Sequence, residues 1–146
     1  MSQSIRLICL VITLLLPVQS IVFASDAGIG FYRAASSKAP FSPAVRVGNI
    51  IYLSGQIGFT AEGKLPKNLK IQAKAVMDNV AVSAARAGAT MDDIFKCTVM
   101  IDDISRWAEF NEVYVTSFKP ERLPARSAFG AAFEVECMAY LAEEKK

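Results

Sequence analysis

The chain has 146 residues, with 16 lysines and arginines against 14 aspartates and glutamates, and a formal net charge of +2. The basic residues are scattered, which argues against nucleic acid as a partner. The sequence contains no histidine, which excludes Ser-His-Asp and Cys-His nucleophilic machinery and leaves only cysteines and carboxylates as ligands for a zinc ion. At this length the chain has room for one domain of ordinary size.

Residues 1–24 have the pattern of a cleavable secretory signal peptide. Arg6 supplies a positive charge, residues 7–18 form an apolar run that is short for a membrane-spanning helix, and 22–24 precede polar residues. Cleavage after Ala24 predicts a periplasmic or secreted protein that no longer contacts the membrane. An uncleaved membrane anchor is the alternative. Cleavage removes only one charge, that of Arg6, so the net charge of the remaining 122 residues (146 minus 24) falls from +2 to +1.

Two cysteines remain after this cleavage, because Cys9 lies in the signal peptide. Cys97 and Cys137 each lie in an apolar, strand-like run. Export makes a disulfide chemically possible, but cysteines in core strands are more often buried free thiols. We therefore favour two buried thiols and keep the bridge as the alternative, since the sequence does not give their separation.

Residues 25–43 are expected to form an extended lead-in, and 44–146 a single domain. Two β-rich runs, 44–47 and 50–54, are separated by Gly48-Asn49, which predicts a hairpin.

Gly55 and Gly58 interrupt the second of these runs. A glycine at such a place allows a bulge or a close approach of the backbone to another group. A plain end of the strand is the alternative.

Apolar residues recur at spacings of three and four over 69–87, which predicts an amphipathic helix with Asn68 as N-cap and Gly88 as C-cap. Residues 95–101 predict a buried strand, and Ser105 is the expected N-cap of a second helix. The apolar stripe of that helix, which we assign to the core, consists of Ile104, Trp107, Phe110, Tyr114 and Phe118.

Two strands within 123–140 complete the order β-β-α-β-α-β-β, which contains neither a Rossmann glycine fingerprint nor a phosphate loop. This order predicts a two-layer α+β domain with both helices on one face of the sheet. Alternating residues such as Ile50, Tyr52 and Val135, Cys137 imply apolar positions on both faces. We therefore expect further copies of the chain to cover the open face.

Arg126 begins an apolar segment, and Glu134 begins the last strand. A guanidinium in apolar surroundings needs an anionic partner, because an unpaired buried charge is costly. The partner is either a carboxylate of the same fold, Glu134 or Glu136, or the carboxylate of a substrate, which a planar guanidinium binds bidentately. The residues alone leave both alternatives open.

Five ordered motifs resemble the Rid family, the YjgF-like reactive-intermediate deaminases. They are APFSPAVRVGNIIYLSGQIG, the long helix, FNEVYVTSF, LPARSAF and FEVECMAY, and together they cover 39–141. The resemblance implies a chorismate-mutase-like fold and a homotrimer with a ligand cleft at each subunit interface. It also implies that small 2-enamine and 2-imine acids are hydrolysed to 2-oxo acids and ammonia, with no metal or other cofactor.

The resemblance also implies roles for particular residues. Arg126 matches the arginine that binds the substrate carboxylate, and Glu134 matches the glutamate that orients the attacking water. Gly55 matches a glycine whose backbone faces the ligand, and Asn111 matches an asparagine that lines the cleft. These roles suit an imine hydrolase, which needs anion recognition and a positioned water rather than a histidine.

Two features depart from the family pattern. Phe41, at a substrate-binding position, stands where deaminating members commonly have tyrosine. A short segment that usually separates the last two strands is missing between Phe129 and Phe133; the remaining join still allows a tight hairpin, with a shift of Glu134 relative to Arg126. The alternative function is therefore a non-catalytic trimer that binds small carboxylates or a protein partner in the same clefts. Ribonuclease activity is a third hypothesis, which the weak basic character disfavours.

Overall fold

The computed structural model describes residues 28–33 and 38–142. The predicted signal peptide, 1–24, lies outside these residues, and no helix in the described ranges is long and apolar enough to cross a membrane. Six strands form one sheet, and two α-helices pack together on one of its faces. These elements are β1 (Ile29–Tyr32), β2 (Ala44–Val47), β3 (Ile50–Leu53), α1 (Leu69–Arg86), β4 (Ile94–Ile101), α2 (Trp107–Tyr114), β5 (Ala125–Gly130) and β6 (Glu134–Tyr140).

The strand order across the sheet is β1-β2-β3-β6-β4-β5. β4 and β5 run parallel, and all other neighbouring pairs are antiparallel. The predicted α+β class, a mixed sheet with two helices on one face, is confirmed. β1 was not predicted as a strand. It lies within the predicted lead-in and is too short for a clear alternation, and it owes its place to pairing with β2.

The core lies between the helices and one face of the sheet. Asn68 caps α1 as predicted, its Oδ1 accepting a hydrogen bond from the Ile71 amide at 3.1 Å. The apolar positions that recur at this spacing are all buried, namely Leu69, Ala73, Val76, Met77, Val80, Ala84 and Ala87. The C-cap is Ala87 rather than Gly88, and Gly88 follows it with a φ of +81°, a value that side chains with a Cβ rarely adopt.

The second helix begins later than predicted. Ser105 is not its N-cap but lies in a 3-10 turn, Ile104–Arg106, where its amide donates to the Asp103 carboxylate at 3.0 Å. α2 itself begins at Trp107. Ile104 is 51% exposed because it precedes the helix, so its assignment to the core is wrong. The buried members of the predicted stripe are Phe110, Tyr114 and Phe118.

The predicted hairpin between the last two strands is also wrong. β5 and β6 lie on opposite sides of β4, so residues 131–133 cross the carboxyl end of β4. This crossing spans two inter-strand spacings, about 10 Å, and four peptide units reach about 13 Å. The Ala131 amide donates to the Ile101 carbonyl at 3.0 Å, and the ring of Phe133 packs edge-on against Phe110.

Cys97 and Cys137 form a disulfide, contrary to the two free thiols that we favoured. The two residues are directly opposite each other on β4 and β6, with Cα atoms 4.1 Å apart. The register of two antiparallel strands, which the sequence did not reveal, therefore brings the sulfur atoms together.

The second face of the sheet has no helix over it, and we call it the open face. Its strands alternate so that apolar side chains lie on both sides, as predicted. Large apolar side chains exposed on the open face include those of Ile29, Phe31, Val47, Tyr52, Phe129 and Tyr140.

Candidate active site

Arg126 lies on β5 with its guanidinium over α2. Its Cζ atom is 4.3 Å from the ring centre of Trp107 and 4.5 Å from that of Tyr114. Within the described ranges its side chain has neither a carboxylate partner nor a hydrogen-bond acceptor. Neither Glu134 nor Glu136 neutralises it within the chain, so the hypothesis of a partner in the same fold is wrong.

The electrostatics of this group follow from its burial. Burial lowers the pKa of Arg126, because the charged guanidinium loses hydration, and the neighbouring phenol of Tyr114 opposes that shift. Burial likewise raises the pKa of Tyr114, and the charge of Arg126 opposes that change. An anion arriving at this place would favour the charged guanidinium.

Asn111 lies on the same face of α2, between Trp107 and Tyr114. Its Oδ1 atom is buried and has no hydrogen-bond partner in the described part of the chain, and the same is true of the Tyr114 hydroxyl. The structure therefore places two of the predicted site residues at one face of α2: Asn111 on the helix itself and the guanidinium of Arg126, from β5, against it.

Glu134 lies at the start of β6, where its carboxylate packs on the backbone of Gly55. A Cβ atom added to Gly55 would lie 1.4 Å from the Glu134 Oε1 atom. The two segments are held in this position because Gln56 and Val135 exchange backbone hydrogen bonds of 2.8 and 3.0 Å. Of the two alternatives for Gly55, the structure favours a close approach over a plain strand end.

Phe41 is 51% exposed. The residues that follow it are tied to β3, since the Ser54 hydroxyl donates to the Ser42 carbonyl at 2.8 Å and the Ser54 amide to the Pro43 carbonyl at 3.0 Å. Because Ser54 precedes Gly55, the residues that follow Phe41 in the chain are held next to Gly55.

Arg126 and Glu134 lie on opposite faces of the sheet. Arg126 is in register with Cys97 of β4, which faces the helices, and Glu134 is in register with Met100. Cys97 and Met100 are three residues apart on one strand, so their side chains point to opposite faces. One chain therefore forms two separate pairs, Arg126 with Asn111 and Glu134 with Gly55. The two pairs lie on opposite faces of the sheet and do not meet within one chain.

The sequence analysis missed two features near these groups. Trp107 and Tyr114 were assigned to the core, although their spacing around Asn111 on one helical face was a signal for a shared site. The second feature is a cavity of about 360 Å³ on the open face, whose lining includes Ser54, Lys96 and Glu136. There the Lys96 Nζ atom donates to the Ser127 hydroxyl at 2.7 Å.

Comparisons with known proteins identify the family. A family model described as Endoribonuclease L-PSP matches residues 32–141. A RutC family protein of Pyrococcus abyssi is 36% identical over 117 residues, covering 74% of this chain and 91% of that protein. The 2-iminobutanoate/2-iminopropanoate deaminase of Mus musculus is 33% identical over 116 residues, covering 73% of this chain and 85% of that protein. The crystal structure of E. coli TdcF with bound serine has a TM-score of 0.66 and 30% identity, covering 78% of this chain and 98% of that chain. The chain therefore belongs to the Endoribonuclease L-PSP family, the family of the Rid and YjgF proteins that its motifs resemble.

Proposed function

We propose that this protein hydrolyses small 2-imine and 2-enamine acids to 2-oxo acids and ammonia. Membership of a family in which some relatives are named deaminases supports this class of reaction. The observation that carries the proposal is the environment of Arg126, a half-buried guanidinium without a carboxylate partner in the described chain. Its in-plane N–H groups are free for the carboxylate that every such substrate has.

The chemistry needs two functions, and this chain has a side chain for each. Arg126 binds the substrate carboxylate through two parallel hydrogen bonds. Glu134 accepts a proton from a water molecule whose oxygen bonds to C2 of the imine. Starting from the protonated imine, this addition gives an amino alcohol, which takes the proton from Glu134 on nitrogen. As the C–N bond breaks, the hydroxyl group gives its proton to Glu134, and ammonia and the 2-oxo acid are released. We propose that no cofactor takes part, since these side chains fill both roles.

The two faces of the sheet lead to the second part of the proposal. Because one chain separates Arg126 from Glu134, each cleft combines Arg126 and Asn111 of one copy with Glu134, Gly55 and Phe41 of a neighbouring copy. A homotrimer supplies this arrangement, with one cleft at each interface. The apolar side chains of the open face offer surface for such an assembly.

The assignment of Arg126 is tested by Arg126→Ala, with the exposed Arg122→Ala as a charge-matched control. We expect the affinity for 2-oxobutanoate to fall at least about tenfold, while the free energy of unfolding changes by less than about 2 kcal/mol, since no protein anion loses its partner. Arg126→Lys should also lose affinity, because lysine lacks the bidentate fork. A loss of stability of about 3–5 kcal/mol with binding retained would contradict the assignment.

A second candidate is a non-catalytic trimer that binds small carboxylates or a protein partner, and Phe41 is the observation that favours it. Its ring has no hydroxyl to contact a substrate or water. The two candidates separate when 2-iminopropionate is generated with an amino-acid oxidase in the presence of the purified protein. Faster release of the 2-oxo acid than in buffer supports the deaminase. No acceleration with 2-oxobutanoate binding intact supports the non-catalytic trimer.

Ribonuclease activity, to which the family description refers, has less support in this chain. Among the described residues, four basic side chains pair with carboxylates, namely Lys70, Lys74, Arg106 and Lys119. RNA affinity should therefore be weak or absent. A strong affinity that falls steeply with salt concentration would contradict this expectation.

We also propose that residues 1–24 direct export and are then removed. The disulfide between Cys97 and Cys137 suits an oxidising compartment, where such bonds form and persist. Mass spectrometry of the protein from a fractionated cell checks this. A soluble cytoplasmic protein that retains residues 1–24 would contradict it.

A further inference from the structure

The guanidinium of Arg126 lies between two aromatic rings of α2. Trp107 and Tyr114 are seven residues apart on one helix, which separates them by about 10 Å along its axis. A group within 4.5 Å of both ring centres therefore occupies the space between them. We call Trp107 and Tyr114 the aromatic clamp.

The clamp is held rigidly by the core. The Trp107 ring stacks on Phe110 with centroids 5.5 Å apart, and the Tyr114 ring packs against Phe110 at 5.6 Å and Phe118 at 4.9 Å. Phe110 is completely buried. Neither ring can move away from Arg126 without disturbing these contacts, so the guanidinium is confined as well.

Aromatic rings stabilise a cation in a different way from a carboxylate. A ring attracts the charge through its π face but accepts none of the in-plane N–H groups. A protein carboxylate would have occupied those donors, and none does so among the residues that the structure describes. The clamp thus keeps Arg126 charged and fixed while leaving its hydrogen-bonding edge to a ligand.

We propose that Trp107 and Tyr114 are positioning residues that orient Arg126 for the carboxylate of the substrate. This inference rests on the proposed function, in which Arg126 binds that carboxylate. We assign this role to the rings, because their faces contact the guanidinium. Binding, rather than the chemical step, depends on the clamp.

Trp107 is the only tryptophan of the chain, so its fluorescence reports on the clamp without any need for turnover. Titration with propionate should change the fluorescence emission of Trp107 until the site is saturated. The bound anion alters the electric field that the guanidinium of Arg126 exerts on the indole ring. Propionamide, which has the same shape without the charge, should not change the emission. The propionate response should disappear in Arg126→Gln. A response that persists in Arg126→Gln would overturn the proposal.

Substitutions of the rings separate positioning from packing. Trp107→Leu and Tyr114→Leu should each raise the KM for 2-iminopropionate and the Kd for 2-oxobutanoate about tenfold, with kcat nearly unchanged. Trp107→Phe and Tyr114→Phe should restore both constants. The matched control is Phe118→Leu, which removes a ring that packs on Tyr114 but does not contact Arg126. It should lower the melting temperature and leave KM and Kd unchanged.

The outcomes distinguish this inference from the proposed function. If the protein does not hydrolyse imines but the Kd for 2-oxobutanoate rises in both leucine variants, the proposed activity fails and the clamp stands. If imines are hydrolysed and KM is unchanged in the leucine variants, the clamp fails and the activity stands. A Tyr114→Phe variant as impaired as Tyr114→Leu would also overturn the inference, since the hydroxyl would then perform the role assigned to the ring.

Discussion

The side of the sheet that carries Arg126 and the side that carries Glu134 are built in different ways. Arg126 is confined by two rings that belong to the packed core. Glu134 has no side-chain hydrogen bond or ion pair among the described residues; its carboxylate is placed by a close approach to the backbone of Gly55. The proposed carboxylate site is thus built into the core of one chain, whereas the position of the proposed water would depend on one backbone contact and on the proposed neighbouring copy.

The largest effect should come from removing the proposed base. In Glu134→Gln we expect kcat for 2-iminopropionate to fall about 10²- to 10⁴-fold, because the amide cannot accept the proton of the water. The affinity for 2-oxobutanoate should be unchanged, since Arg126 is intact. Glu136→Gln, on the same face of the same strand, is the matched control and should keep most of its activity. Equal losses in both variants would contradict the special role of Glu134.

The disulfide joins β6, which carries Glu134, to β4. β4 also pairs with β5, which carries Arg126. The double variant Cys97→Ala/Cys137→Ala lacks this cross-link, which spans a sequence separation of 40. Because the unfolded chain then gains conformational entropy, the free energy of unfolding of the variant should fall by about 4 kcal/mol. Urea unfolding measures this. Affinity for 2-oxobutanoate should survive below the unfolding transition, because the aromatic contacts of Arg126 remain. Loss of that affinity in the folded variant would show that the bridge also positions Arg126.

Gly55→Ala tests the close approach itself. The new methyl group would occupy the place of the Glu134 carboxylate, which must then rotate away. Displacing a catalytic group by about 1 Å can cost about a hundredfold in rate, so we expect kcat to fall by that order with carboxylate binding retained. Gly130→Ala is the control, because its new Cβ meets nothing closer than 3.9 Å. Unchanged kcat in Gly55→Ala would mean that the position of Glu134 is not critical.

The smallest effect concerns Phe41, which is exposed and which the proposal places in the cleft with Glu134. Phe41→Tyr adds a hydroxyl that can contact substrate or water, and a single hydrogen bond of this kind would raise kcat about two- to tenfold. Steady-state kinetics on 2-iminopropionate check this. A lower kcat in Phe41→Tyr would indicate that the cleft of this protein is adapted to the phenyl ring.

Much of the fold follows from local sequence signals. Asn68 and the three- and four-residue spacing predicted α1, and Gly48-Asn49 predicted the hairpin, in which Gly48 has a φ of +56°. The join at 131–133 could not be predicted in the same way. Its course depends on β4 lying between β5 and β6, which is a long-range pairing that no local pattern records.

The site was predictable by residue type but not by arrangement. The sequence singled out Arg126 because a guanidinium in an apolar segment needs an explanation. It did not reveal that Trp107 and Tyr114 flank it, since aromatic residues at helical spacing are usually core, and both rings do pack there. Nor did it reveal that Arg126 and Glu134 face opposite ways, because that depends on the register of two strands against β4.

The most direct test of the account uses two inactive variants together. Arg126→Ala and Glu134→Gln, carrying different tags, are co-expressed and the mixed trimers are purified through both tags. If each cleft takes Arg126 from one copy and Glu134 from the next, every mixed trimer has both residues intact in one of its three clefts, and imine hydrolysis returns to about one third of the wild-type rate. Mixed trimers as inactive as either variant alone would contradict the shared cleft.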